Sequence, residues 1–193
     1  MKSTLFSLGC IAAAAAAASP LVNLKLGGKH ETGSPFKFTS TYSVHVAPNA
    51  VVDNDGKPTG GLEGAYGVFN FGINSHENAI CYNLTIDGFR GEYKSPARTA
   101  THIHEAPVGK AGPPRIAFPN PQGSADGRRW SIGCLRGPFV TGVKASDGSG
   151  RDTGEGFHVG QIEENPSQFF ADVHSSLAVP GAARGQLNRR NKC

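Results

Sequence analysis

Methionine and tryptophan each occur once in the 193 residues, at Met1 and Trp130. With no Leu-rich period of 3.6 residues either, a helical bundle is excluded. Long hydrophobic runs are missing after residue 18, and the one before it, Leu5 to Ala18, is too short for a bilayer-spanning helix of about 20 residues. Charge of one sign is also lacking: 19 Lys and Arg stand against 15 Asp and Glu, a net charge of +4. The only basic cluster is the tail Arg189-Arg190-Asn191-Lys192, which reads as a solvated terminus, so nucleic acid is not an expected partner. No Gly-x-Ser-x-Gly elbow occurs, and no phosphate-cradling glycine motif stands at a strand–helix junction. The Asp53-Asn54-Asp55-Gly56 turn lacks the glutamate that would make it a calcium loop. Glu63, Glu92 and Glu105 form no pattern suggesting a glycosidase pair.

What is abundant is glycine and proline: 26 and 13 residues, about a fifth of the chain, where about an eighth is usual. The sixteen aromatic residues, 11 Phe, 4 Tyr and 1 Trp, suffice for a core. A compact, turn-rich, mostly β domain is expected. Met1-Lys2, the apolar run and the break at Ser19-Pro20 have the make-up of a secretory signal peptide. The expected division is a signal peptide over 1–18, a lead-in over 19–35, one domain over 36–188 and a basic tail over 189–193. The protein is expected to be secreted, with no membrane span or lipid anchor. Cys10 would leave with the leader, and an oxidising route makes a disulfide among the remaining cysteines the expectation. Cys81–Cys134 is the favoured pair, which leaves Cys193 to bond another molecule or a small thiol. Asn83-Leu84-Thr85 is the one usable glycosylation sequon.

Period-two alternation marks the strands. Phe36, Phe38, Tyr42, Val44 and Val46 share one parity. Phe69, Phe71 and Ile73 share another, and Ile80, Tyr82, Leu84 and Ile86 face inward opposite Cys81 and Asn83; these last two runs read as a hairpin. Further strands are expected at Thr99–His104, Arg115–Phe118, Phe169–His174 and Arg184–Leu187. Residues 119–156 read as the least regular part, anchored by Trp130 and Cys134. Asn165-Pro166 has the pattern of a helix start, so one short helical turn is expected there. Short strands with frequent turns suggest an antiparallel, immunoglobulin-like β-sandwich.

The most informative spacing is His102-Ile103-His104. Residues two apart on a strand project to one side, about 7 Å apart, and imidazole suits copper and zinc. Asp172 and His174 likewise share a face. If their strand neighbours the first, His102, His104 and His174 form a three-nitrogen site, with Asp172 supporting it from behind. Otherwise the histidines serve as structural hydrogen-bonding groups. His30, His45, His76 and His158 are expected at the surface or in turns. Arg184 is expected as an ion-pair partner of Asp172 or Glu105, the alternative being a place on a recognition surface.

The stretch from Thr99 through His102-Ile103-His104 to Gly109-Lys110-Ala111-Gly112-Pro113 resembles the core motif of the chordin-type (CHRD) domain. Asn165-Pro166, Val173-His174 and Arg184-Gly185-Gln186-Leu187 resemble its closing elements, and the likeness covers about residues 36–188. The resemblance implies a secreted or cell-surface β-sandwich module without established catalysis, whose partner would be an extracellular protein or a cell-wall polymer. Two departures stand out: Val46-Ala47-Pro48-Asn49 lacks the family's acidic residue, and the 119–156 insertion is long. The His-x-His strand is also similar to the copper site of copper–zinc superoxide dismutase. That enzyme needs further histidines just downstream, and none occurs between Glu105 and Phe157. The expectation is therefore a non-catalytic binding or structural module. The alternative is a secreted copper protein with a redox or scavenging role.

Overall fold

The computed structural model describes residues 37–124 and 127–188 and places a short strand at 191–192. Residues 1–36 and Cys193 lie outside the described residues, and with them the expected signal peptide, the expected lead-in and His30. The strands are β1 (Ser40–Val46), β2 (Tyr66–Asn74), β3 (Ala79–Asp87), β4 (Thr101–Glu105), β5 (Pro114–Phe118), β6 (Gln122–Gly123), β7 (Arg129–Arg136), β8 (Phe169–Ser175), β9 (Ala178–Gln186) and β10 (Asn191–Lys192), with one α-helix among the described residues, α1 (Gly160–Glu164), before β8. They form two antiparallel sheets, β10-β1-β2-β3-β7-β6 and β5-β4-β8-β9. The fold is an all-β sandwich.

Alternation explains the sandwich. Tyr42, Val44 and Val46 of β1 are buried while Ser43 and His45 are exposed. β2 and β3 pair from Tyr66–Asp87 to Asn74–Ala79 as the expected hairpin, and their inward side chains Phe69, Phe71, Ile73, Ile80, Leu84 and Ile86 are almost fully buried. The smaller sheet answers with Ile103, Ile116, Phe118, Ala171 and Val173. Phe118 packs against Phe71 and Tyr82 at 5.5 and 5.0 Å between ring centroids, tying the layers together. Each such Ile or Phe contributes about 1.5–3 kcal/mol on burial.

Two strands of different sheets also meet directly. Ala47 N–H donates to the Arg184 carbonyl at 2.9 Å, and Arg184 N–H to the Ala47 carbonyl at 3.1 Å. The close approach needs Gly185 to have no side chain. A Cβ there would overlap the His45 carbonyl oxygen and come within 2.7 Å of Val44 Cγ1. Cys81 and Cys134 sit opposite each other on β3 and β7 and form the expected disulfide.

Two expectations need correction. The 119–156 stretch is not irregular throughout, because it supplies β7, which pairs along β3. Its alternation is inverted: Trp130 and Ile132 point outward, 55% and 67% exposed, and Ser131 and Gly133 take the inner parity. Trp130 is thus no core anchor. The loops after β7 are held instead by Asp152, whose carboxylate accepts from the N–H groups of Thr141, Gly142 and Gly154 and from the Thr141 hydroxyl. The short helical turn expected at Asn165-Pro166 is present as a 3-10 turn, Pro166–Gln168, with α1 just before it.

Candidate metal centre

The site lies on the outer face of the smaller sheet. Ile103, Ala171 and Val173 point inward to the core, so their neighbours point away from it. The register puts His102 opposite Asp172 and His104 opposite Phe170, and Asp172 opposite Arg184. Directly opposed side chains on one face lie about 5 Å apart. The register shifts at His104 between β4 and β5 and at Val173–Ser175 between β8 and β9. Such irregularities turn a side chain out of the regular pleat, here at both His104 and His174.

These residues converge. One donor atom from each of His102, His104, Asp172 and His174 falls within 4.8 Å of all the others. His102 Nδ1 lies 3.3 Å from His104 Nε2. Asp172 Oδ1 lies 3.4 Å from the first and 3.3 Å from the second. A tetrahedral ion with bonds of 2.0–2.1 Å separates its ligands by about 3.3–3.4 Å, so this triangle has the dimensions of one face of such a site. His174 Nε2 approaches Asp172 Oδ2 at 3.0 Å.

The outer nitrogens decide the tautomers. His102 Nε2 is 2.7 Å from the Thr99 carbonyl, His104 Nδ1 is 2.8 Å from the Gly112 carbonyl, and His174 Nδ1 is 3.4 Å from the Val179 carbonyl. A carbonyl only accepts, so in each ring the outer nitrogen carries the hydrogen. In their neutral form the imidazoles therefore turn three lone pairs toward one carboxylate. Asp172 Oδ1 and His174 Nε2 are buried without a hydrogen-bond partner; the 3.0 Å approach of His174 becomes an ion pair only when that ring takes up a proton. An all-acceptor cluster of this kind is stable only around a cation, either a proton or a metal. A backbone carbonyl behind each ring is also the usual support of a metal-bound histidine.

Electrostatics follow from burial and Asp172. Burial lowers the His102 pKa, partly offset by Asp172. Burial also presses on His174, but the carboxylate charge outweighs it and the net shift is upward. Burial works against ionised Asp172, yet the surrounding imidazoles hold its pKa well below the usual range.

The CHRD domain family model matches residues 42–187. The chain belongs to the CHRD domain family. No curated protein and no solved structure matches it. In this CHRD domain both motif segments, His102-Ile103-His104 and Val173-His174, border the same centre. Between them lies a cavity of about 360 Å³, walled in part by Val51, Val143, Val179 and Pro180.

Arg184 is placed otherwise than expected. It forms no ion pair with Asp172 or Glu105 among the described residues; Glu105 pairs with Arg115 at 2.7 Å. Its guanidinium lies over the Phe170 ring, 3.5 Å from carbon to centroid. Phe170 was missed by sequence reasoning, although its parity with Asp172 and His174 puts it on their face. His45, His76 and His158 are exposed and stand outside the cluster. Asn83 is exposed on the outer face of the larger sheet.

Proposed function

We propose that this CHRD-domain protein is a secreted module that binds one copper or zinc ion through His102, His104, His174 and Asp172. One observation carries the reading: three imidazoles, each with its outer N–H bound to a backbone carbonyl, aim their lone pairs at a buried carboxylate. Nitrogen-rich sites of this type favour the copper–zinc end of the first transition row. Asp172 joins as a ligand rather than as a support behind the rings, because the neutral imidazoles have no inner N–H to offer it. The role is binding and holding the ion outside the cell.

The test is metal content. Protein secreted and purified without a histidine tag is titrated with copper and with zinc, and bound metal is measured after dialysis. The expected result is one ion per chain, lost in the double variant His102→Ala, His104→Ala. A wild-type chain that retains neither ion overturns the reading.

A further inference from the structure

Arg184 lines the same cavity as the metal centre, and it is only 5% exposed. A buried cation normally pairs with a carboxylate; Arg184 makes no direct ion pair among the described residues, and the charge of Asp172, opposite it on β8, acts on it only at a distance. Its hydrogen bonds among the described residues are two long ones from Nη2, to the Pro107 carbonyl at 3.4 Å and to Gln186 Oε1 at 3.5 Å. The stack on Phe170 fixes the plane of the guanidinium while leaving most of its N–H groups unused. Asp53 also borders the cavity, but its Oδ1 is committed to its own turn, accepting from Asp55 and Lys57 N–H groups. With a divalent ion in place, the ion and Arg184 outweigh the carboxylates of Asp172 and Asp53 by one positive charge. The remaining walls include Val51, Val143, Val179, Pro96 and Pro180, and about 360 Å³ lies at the small end of ligand-site volumes.

We propose that this cavity binds a small monocarboxylate with a short apolar body, its charged end between the metal ion and Arg184. The planar fork of arginine matches the two oxygens of a carboxylate, and the valines and prolines take the hydrocarbon. The assignment rests on the metal site, which supplies one of its two anchors.

The experiment titrates metal-loaded protein with butyrate and benzoate, and with butyramide and benzamide as neutral counterparts, by calorimetry. Metal stoichiometry is measured first. One carboxylate per chain should bind, with the amides about 10-fold weaker or more. Arg184→Gln should weaken carboxylate binding by about 10-fold or more with metal content unchanged, and Arg184→Lys should restore part of it. Amides binding as well as the acids in the wild type, or an Arg184→Gln variant that binds butyrate normally, overturns the proposal. A chain that takes up no metal ends both readings, whereas one that takes up metal but no carboxylate ends this one alone.

Discussion

His104 and Phe170 lie ring against ring across neighbouring strands, 4.8 Å between centroids and 6° from parallel. The Gly112 carbonyl holds the same imidazole by its edge. Together they leave His104 one orientation, with Nε2 toward Asp172. Affinity at such a centre depends on rings that need no reordering when the ion arrives.

Phe170→Leu keeps an apolar group at the position and removes the flat surface. Copper or zinc affinity should fall by about 10-fold, within the range seen when groups supporting metal ligands are changed. Competition with a chromophoric chelator measures it. Far-ultraviolet circular dichroism should stay unchanged, so that a loss of fold is told apart from a loosened ligand.

Acid should work against the metal, with a sign set by the two shifted histidines. His174 has a raised pKa, so its stabilising contribution to the metal-free fold is full below the ordinary value of 6.5 and is lost as pH rises through the raised one. His102 has a lowered pKa; below 6.5 the unfolded chain takes up a proton that the folded one refuses, and stability falls. Asp172, held well below 3.8, contributes above that value and is lost only in stronger acid. The metal must displace the His174 proton. The rise in Tm on adding metal should therefore be larger at about pH 8 than at about pH 5. With ligand at a hundredfold excess over Kd the stabilisation is about 2.7 kcal/mol. Scanning fluorimetry with and without chelator reads the difference.

The backbone was legible in the sequence wherever burial is one-sided. Tyr42, Val44 and Val46, or Ile80, Tyr82, Leu84 and Ile86, alternate because one face meets the core and the other meets water. β7 escaped because Trp130 and Ile132 sit on its wet face, while Ser131 and Gly133 take inner positions and Leu135 alone of its apolar residues packs against the core. His102 and His104 were readable as one face, and Asp172 and His174 as another. That the two faces are one is a fact of strand pairing, which side-chain types do not encode. The carbonyls of Thr99, Gly112 and Val179 were beyond reach, since a backbone acceptor leaves no mark on residue identity.

Gly185→Ala should destabilise the fold by about 1–3 kcal/mol, the usual cost of forcing an extra group into filled space. The added methyl would strike the His45 carbonyl and Val44 and prise β9 from β1. A lower urea midpoint with an unchanged slope is the expected signature; an unchanged midpoint would mean that the strands separate at no cost.

Asn83 should carry a glycan when the chain passes through a eukaryotic secretory route. Its side chain is exposed, while Thr85 of the same sequon donates to the Val68 carbonyl at 3.1 Å. The mass of secreted protein should fall on endoglycosidase treatment and should not change in Asn83→Gln. Equal masses for both proteins before treatment would remove the site.

The pair of backbone hydrogen bonds between Ala47 and Arg184 makes one residue serve two purposes. The strand that stitches the layers together is also the wall that carries the guanidinium. The cavity cannot keep its shape if the layers part, so an absorption or resonance signal from a bound copper ion would act as a built-in gauge of their docking. It should vanish at the same denaturant concentration as the fluorescence of the protein, without a separate earlier loss.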